Sequence, residues 1–232
     1  MIDTERTETL LGVETLARLR KLHVAVYGLG GVGGWCAEAL LRSGVGRLTI
    51  IDDDIVQPSN LNRQCCATAK TLGMKKADAM RARLLEIDPD ADVIAVPERF
   101  VPGMKPVACD VIVDAIDSVD CKCALILAAK AAGVGIVSSL GAAKRLDPTK
   151  VTLKRFSRVE GDGLARAMRQ RFKRLGEFPD RDLLCAVSSE LPASIGTLGS
   201  MMPVTAAFGL ALASAVMRLD RAGSGLVPER NI

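Results

Sequence analysis

The chain has 232 residues, 49% of them hydrophobic and 25% charged, with a net charge of +4. This excludes a disordered chain. The length is that of one large domain, or one domain with an appendage, able to bury a core without metal or disulfide staples. The charge alone is too small to argue for nucleic acid; seven cysteines, an odd number with no Cys-x-x-Cys among them, argue against a disulfide framework and zinc knuckles.

In chain order, Met1 to Arg6 is polar, so no signal peptide is expected. Arg6 to Arg20 is expected to be one helix, with Leu10, Leu11, Leu16 and Leu19 on its apolar face. Val24 to Val26 makes a buried strand. A glycine turn, Gly28-Leu29-Gly30-Gly31-Val32-Gly33, follows, and then a helix from Trp35 that stops near Gly44. Arg47 to Asp52 is the second strand, and Asp53 to Thr71 is a long connection of the kind that carries function. Lys75 to Ile87 is a helix; Asp92 to Val96 and Asp110 to Ala115 are strands three and four. Val119 to Ala132 is a helix stopped by Gly133, and Val134 to Ser138 is strand five. After a turn cluster at Arg145 to Thr149 come strands at Val151 to Phe156 and Leu183 to Val187. The apolar stretch Gly196 to Met217 reads as a buried helix starting near Pro203. Gly196, Gly199, Pro203 and Gly209 interrupt it too often for a membrane span, and no membrane is expected as a partner.

This alternation predicts an α/β fold, a doubly wound, mostly parallel, Rossmann-like sheet with a C-terminal extension of strands and helices. Residues 1–145 are expected to form the nucleotide-binding core. Residues 146–232 are expected to be an extension within the same compact domain.

Gly28, Gly30 and Gly33 fit G-x-G-x-x-G between a strand and a helix, where unpaired backbone N–H groups and the helix dipole favour phosphate. Asp52 lies 24 positions after Gly28, where a carboxylate meets a ribose hydroxyl. The loop beyond it is dense in polar groups: Asp52-Asp53-Asp54, then Asn60, Arg63 and Gln64, and later Lys76. Strand four runs out into Asp114-Ala115-Ile116-Asp117. In a doubly wound sheet the ends of strands one, two and four converge on one crevice, so Arg63 and Lys76 can reach phosphates there and Asp117 can hold Mg²⁺. Two cations plus Mg²⁺ suit transfer at phosphorus, whereas hydride transfer needs none of them.

The glycine turn with Gly31, Asp52, Asn60-x-x-Arg63-Gln64, Lys76 and Asp114-x-x-Asp117 resembles the ATP site of the ubiquitin-activating superfamily, which includes the molybdopterin and thiamine sulfur-carrier adenylyltransferases. Arg6-Thr7-Glu8-Thr9-Leu10-Leu11-Gly12, Asp114 to Val119, Asp147-Pro148-Thr149, Ser188-Ser189-Glu190 and Val204 to Gly209 resemble, within it, the tRNA threonylcarbamoyladenosine dehydratase family. The resemblance implies an ATP-dependent adenylating enzyme. Asp52 binds the ribose; Asn60, Arg63, Gln64 and Lys76 position and neutralise the triphosphate; Asp117 coordinates Mg²⁺. Asp54 joins the nucleotide-binding set. Arg6 resembles an arginine supplied across a dimer interface, which implies a homodimer. Some members bind a monovalent cation, zinc is not expected, and a sulfur-relay protein is a candidate partner. Where some members carry a cysteine, this chain has Ser194; Cys185 is the other candidate thiol, and its flanks read as a buried strand.

Lys150 to Arg181 holds ten basic and four acidic residues, a net +6, while the rest is close to neutral or slightly acidic. Such segregation is a footprint for a polyanion, here tRNA, although a charge run also reads as a solvated helix face. The only histidine, His23, reads as a strand-flanking residue. Cysteine usage points to a reducing, cytoplasmic compartment. Two alternatives stay open: an adenylyltransferase for a ubiquitin-like or sulfur-carrier protein, and a non-enzymatic nucleotide-binding module.

Overall fold

The computed structural model describes residues 3–194, 196–197 and 199–218. Residues 219–232 of the expected extension, and Leu198 in the apolar stretch, lie outside the described residues. The strands are β1 (His23–Tyr27), β2 (Arg47–Ile51), β3 (Asp92–Val96), β4 (Val111–Asp114), β5 (Gly135–Ser139), β6 (Val151–Arg155) and β7 (Leu184–Ser188). The helices are α1 (Glu5–Leu11), α2 (Val13–Leu19), α3 (Gly33–Arg42), α4 (Lys76–Ile87), α5 (Val119–Ala132), α6 (Gly163–Leu175) and α7 (Met202–Arg218).

All seven strands form one sheet in the order β3-β2-β1-β4-β5-β7-β6. Every pairing is parallel except β6 with β7. The sheet order reverses at β1, so its two neighbours leave a crevice beyond their C-terminal ends, the usual ligand position in such sheets. Side chains alternate across the sheet: Val24 and Val26 pack on α3 and α7, while Ala25 and Tyr27 face the α5 side. A further apolar cluster, with Phe156, Met168 and Phe172, seats α6 beside α5.

The expected helix from Arg6 to Arg20 is two helices. Gly12 sits at φ +86° and breaks it, leaving α1 without a buried residue. Leu16 and Leu19 are fully buried, but Leu10 is 82% exposed and does not share their face. The basic segment contains α6, which composition alone leaves unplaced. Asp162 caps its start by accepting from Ala165 N at 2.9 Å, and Gly176 in the left-handed region ends it. The other expected elements stand within about two residues of their predicted ends. Among the described residues, no helix is long and apolar enough to cross a membrane.

Candidate functional site

The C-terminal ends of β1 to β5 open onto one cleft of about 690 Å³. Its lining includes Gly28, Gly30, Gly31, Asp52, Asp54, Asn60, Arg63, Gln64, Lys76 and Asp117, so the sheet brings together ten of the sequence-predicted residues. Two are elsewhere. Gly33 does not line the cleft; a Cβ there would lie 1.8 Å from Gly28 O, so this glycine lets α3 start hard against the turn. Arg6 is exposed on α1, outside the cleft of its own chain.

Gly28 adopts φ +87°, and a Cβ would meet Ala115 O at 2.7 Å; only glycine lets β1 turn this close to β4. Just beyond, Leu29 N donates to Asp52 Oδ2 at 2.6 Å and Asp54 N donates to Asp52 Oδ1 at 2.9 Å. The Asp52 carboxylate is therefore fixed to the tip of the glycine turn. Burial raises its pKa, outweighing these two donors and the charge of Lys76.

Lys76 opens α4 and is 6% exposed. Its Nζ donates to Asp54 Oδ2 at 2.8 Å and its backbone N to Asp54 O at 2.9 Å, so Asp54 also aims the lysine into the cleft. Arg63 lays its stem on Gly31; its Nη1 donates to Ser59 O and to Asn62 Oδ1, both at 2.8 Å. Trp35 Nε1 donates to Arg63 O at 2.9 Å and ties this loop to α3. Asn60 is buried and accepts from Gln57 N at 3.0 Å. Gln64 is also buried, and among the described residues its Oε1 has no partner, an acceptor left over at the cleft wall.

The carboxylates divide by role. Asp117 is exposed at the cleft, and among the described residues no ion pair ties it down. Oxygens of Asp52, Asp53 and Asp54 lie within 4.8 Å of one another after β2. Asp114 is fully buried instead: Lys122 Nζ donates to it at 2.7 Å and Ser138 Oγ at 2.6 Å. This ion pair welds α5 and β5 to the end of β4.

Sequence reasoning missed several lining groups. Glu98, Arg99 and Phe100 follow β3; Ser139 ends β5 and Leu140 to Ala143 follow it; Leu164 comes from α6; Ser200 lies just before α7 and Thr205 in its first turn. Nothing local marks them, because they meet only across the sheet. Cys121 also lines the cleft. Cys123 and Cys185 are buried, and burial pushes both thiols up to about 12.

Of the ten cations in the basic segment, several are engaged. Arg169 donates to Phe156 O and Val159 O and stacks over the Phe156 ring; Arg171 pairs with Asp120 and Arg155 with Asp182. Arg166, Lys173 and Arg174 are exposed on one face of α6.

The ThiF family matches residues 4–219. The tRNA threonylcarbamoyladenosine dehydratase of Bacillus subtilis (strain 168) is 37% identical over 175 residues, 74% of this chain and 69% of that protein. Its namesake in Escherichia coli (strain K12) is 36% identical over 171 residues, covering 72% of this chain and just under two thirds (64%) of that one. The crystal structure of the E. coli enzyme TcdA in complex with ATP matches with a TM-score of 0.86 at 33% identity, over 90% of each chain. Its AMP complex matches with a TM-score of 0.85 at 32% identity, over the same 90% of each. Matched over nearly all of its described length, and sharing about a third of its residues with these enzymes, the chain belongs to the ThiF family.

Proposed function

We propose that the protein is an ATP-dependent adenylating enzyme that dehydrates threonylcarbamoyladenosine in tRNA to a cyclic product. The observation that carries this reading is the meeting of Arg63 and Lys76 with the glycine turn, Asp52 and Asp117 in one cleft, in a chain whose relatives bear that enzyme's name.

The ribose hydroxyls meet Asp52, and the triphosphate lies on the glycine turn under Arg63 and Lys76, with Asn60 and Gln64 completing the wall. The cleft carboxylates fit Mg²⁺: Asp117 is exposed and otherwise uncommitted among the described residues, and it is the residue that would hold the ion. Bound there, Mg²⁺ supplies neutralisation of phosphate charge. The threonyl carboxylate attacks the α-phosphorus, the bond to the β-phosphate oxygen breaks, and pyrophosphate leaves. The carbamoyl group of the same nucleoside then attacks the acyl carbon, loses its proton, and expels AMP with the carboxylate oxygen. Arg63 and Lys76 stabilise charge developing on phosphate oxygens in the first step. Ring closure is intramolecular, so orientation supplies most of what it needs.

The rest of the reading follows the resemblance. Arg6 completes the site of a second subunit in a homodimer, consistent with its exposure on α1. The exposed cations between Lys150 and Arg181 hold the tRNA backbone. Residues 1–145 and 146–232 act as one unit, supported by β7 lying directly against β5. A monovalent cation and a sulfur-relay protein are further ligands to test, and seven free cysteines fit the cytoplasm. Pyrophosphate exchange tests the acceptor: exchange is expected with tRNA carrying threonylcarbamoyladenosine, and exchange supported only by a ubiquitin-like or sulfur-carrier protein overturns the reading.

A further inference from the structure

The cleft spans more of the sheet than the residues assigned to the nucleotide, its lining running from Glu98 after β3 to Ser139 at the end of β5. Asp52 at the end of β2 marks the ribose and the turn after β1 marks the phosphates, so the base extends toward β3, where Glu98 to Phe100 form the wall. In the other direction the cleft continues past β4 to β5, two strand spacings of about 4.8 Å each. The side chains there are small or uncharged: Ser139, Gly141, Ala142, Ala143 and Leu164. A second phosphate group has no cation in this set to meet it. The acceptor's one charge outside its backbone, the threonyl carboxylate, reaches back to Arg63 and Lys76 at the turn, and its uncharged base and ribose need no cation here.

We propose that this β4–β5 end seats the acceptor nucleoside of an RNA, and that Arg145 and Asp162 are positioning residues that set its wall. The proposal rests on the function proposed above and places its acceptor. Arg145 and Asp162 are 2% and 3% exposed and form an ion pair, Nη2 to Oδ2, of 2.9 Å. Neither lines the cleft. Both grip Gly141: Arg145 Nε donates to Gly141 O at 2.8 Å, and Gly141 N donates to Asp162 Oδ2 at 3.2 Å. The other oxygen of Asp162 caps α6 through Ala165 N at 2.9 Å. One carboxylate thus fixes both the wall after β5 and the start of α6, whose second residue, Leu164, is also wall. Arg166, one half-turn further, and then Lys173 and Arg174 form an exposed basic track along α6, which is about 20 Å long. Leu164 and the track lie on opposite sides of α6, about 200° apart, so a phosphate backbone on the track passes over the N-terminal end of the helix to bring its nucleoside to Leu164.

The test is steady-state turnover on tRNA carrying threonylcarbamoyladenosine, with ATP–Mg²⁺ affinity measured calorimetrically alongside. Ala143→Leu narrows the seat; Ala143 is chosen because Ala142 also packs on the core. KM for tRNA is expected to rise about tenfold or more while ATP affinity stays within about twofold, which also reports an intact fold. Ala143→Val is the smaller intrusion should leucine unfold the wall. Arg145→Lys keeps a charge beside Asp162 but loses the fork onto Gly141; it is expected to raise KM for tRNA more than it lowers kcat. Unchanged KM for tRNA in these variants, or a loss of ATP affinity in their place, overturns the seat alone. Wild-type protein that binds ATP but leaves the nucleoside unchanged overturns the proposed function and the seat together.

Discussion

Replacing Lys76 by methionine separates a residue held for chemistry from one held for stability. Lys76 has a side chain only 8% exposed, yet its partner Asp54 is 66% exposed. Removing the lysine leaves Asp54 in water, and the half-buried Asp52 loses a nearby charge but keeps its donors Leu29 N and Asp54 N. A pair with one exposed member contributes about 0–1 kcal/mol, and methionine fills the buried stem at no desolvation cost. Stability should therefore change by less than about 1 kcal/mol, a shift in Tm of under about 4 °C for a chain of this size. Turnover should fall far more. Loss of one preorganised donor at a site of developing charge costs about 2.7–4 kcal/mol, or about 10²–10³ in kcat. AMP formation with tRNA as acceptor, measured beside thermal unfolding, checks both halves. A variant that loses several kcal/mol of stability, or that keeps kcat within about twofold, refutes the assignment.

Lys122→Met should do the reverse. It leaves Asp114 fully buried with, among the described residues, only Ser138 Oγ and Ile116 N as partners of its side chain, a loss of about 3–5 kcal/mol in urea unfolding. Gly33→Ala places a Cβ against Gly28 O, so α3 must shift, and calorimetry should show ATP binding lost or strongly weakened. Cys185→Ser should retain turnover, because that thiol is buried and raised to about 12; loss of activity with the fold and ATP affinity intact would restore a thiol mechanism. Burial, aided by the nearby Arg47, lowers the His23 pKa below 6.5 against the pull of Asp110 and Asp92. Its contribution to stability is complete above 6.5 and is lost as pH falls through the lowered value, so His23→Gln should flatten the acid side of the stability profile.

The glycine turn, Asp52 and the cleft cations are legible in sequence because each sits at a strand end, in the loop that follows or at the start of the next helix, and strand order alone makes those ends converge. Asp117 can be told from Asp114 by the same logic: one follows the strand, the other lies in it, and the structure finds the latter fully buried. The partner of Asp114 is not legible, since Lys122 reaches it from the next helix and Ser138 from the neighbouring strand. The same holds for Arg145 and Asp162, which meet across a loop and a helix start. The helix α6 has a readable signal in Ala165, Met168 and Phe172 at helical spacing between Asp162 and Gly176, but its arginines draw attention to charge instead. Gly12 shows the opposite error: the leucines around it suggest one helix, and a positive φ divides them into two.

The most direct measurement is mass spectrometry of nucleosides from tRNA carrying threonylcarbamoyladenosine after incubation with the protein. With ATP and Mg²⁺, the account predicts that this nucleoside loses the mass of one water and that AMP forms; without ATP it stays unchanged. An unmodified nucleoside in the presence of ATP, with protein that binds the nucleotide, contradicts it.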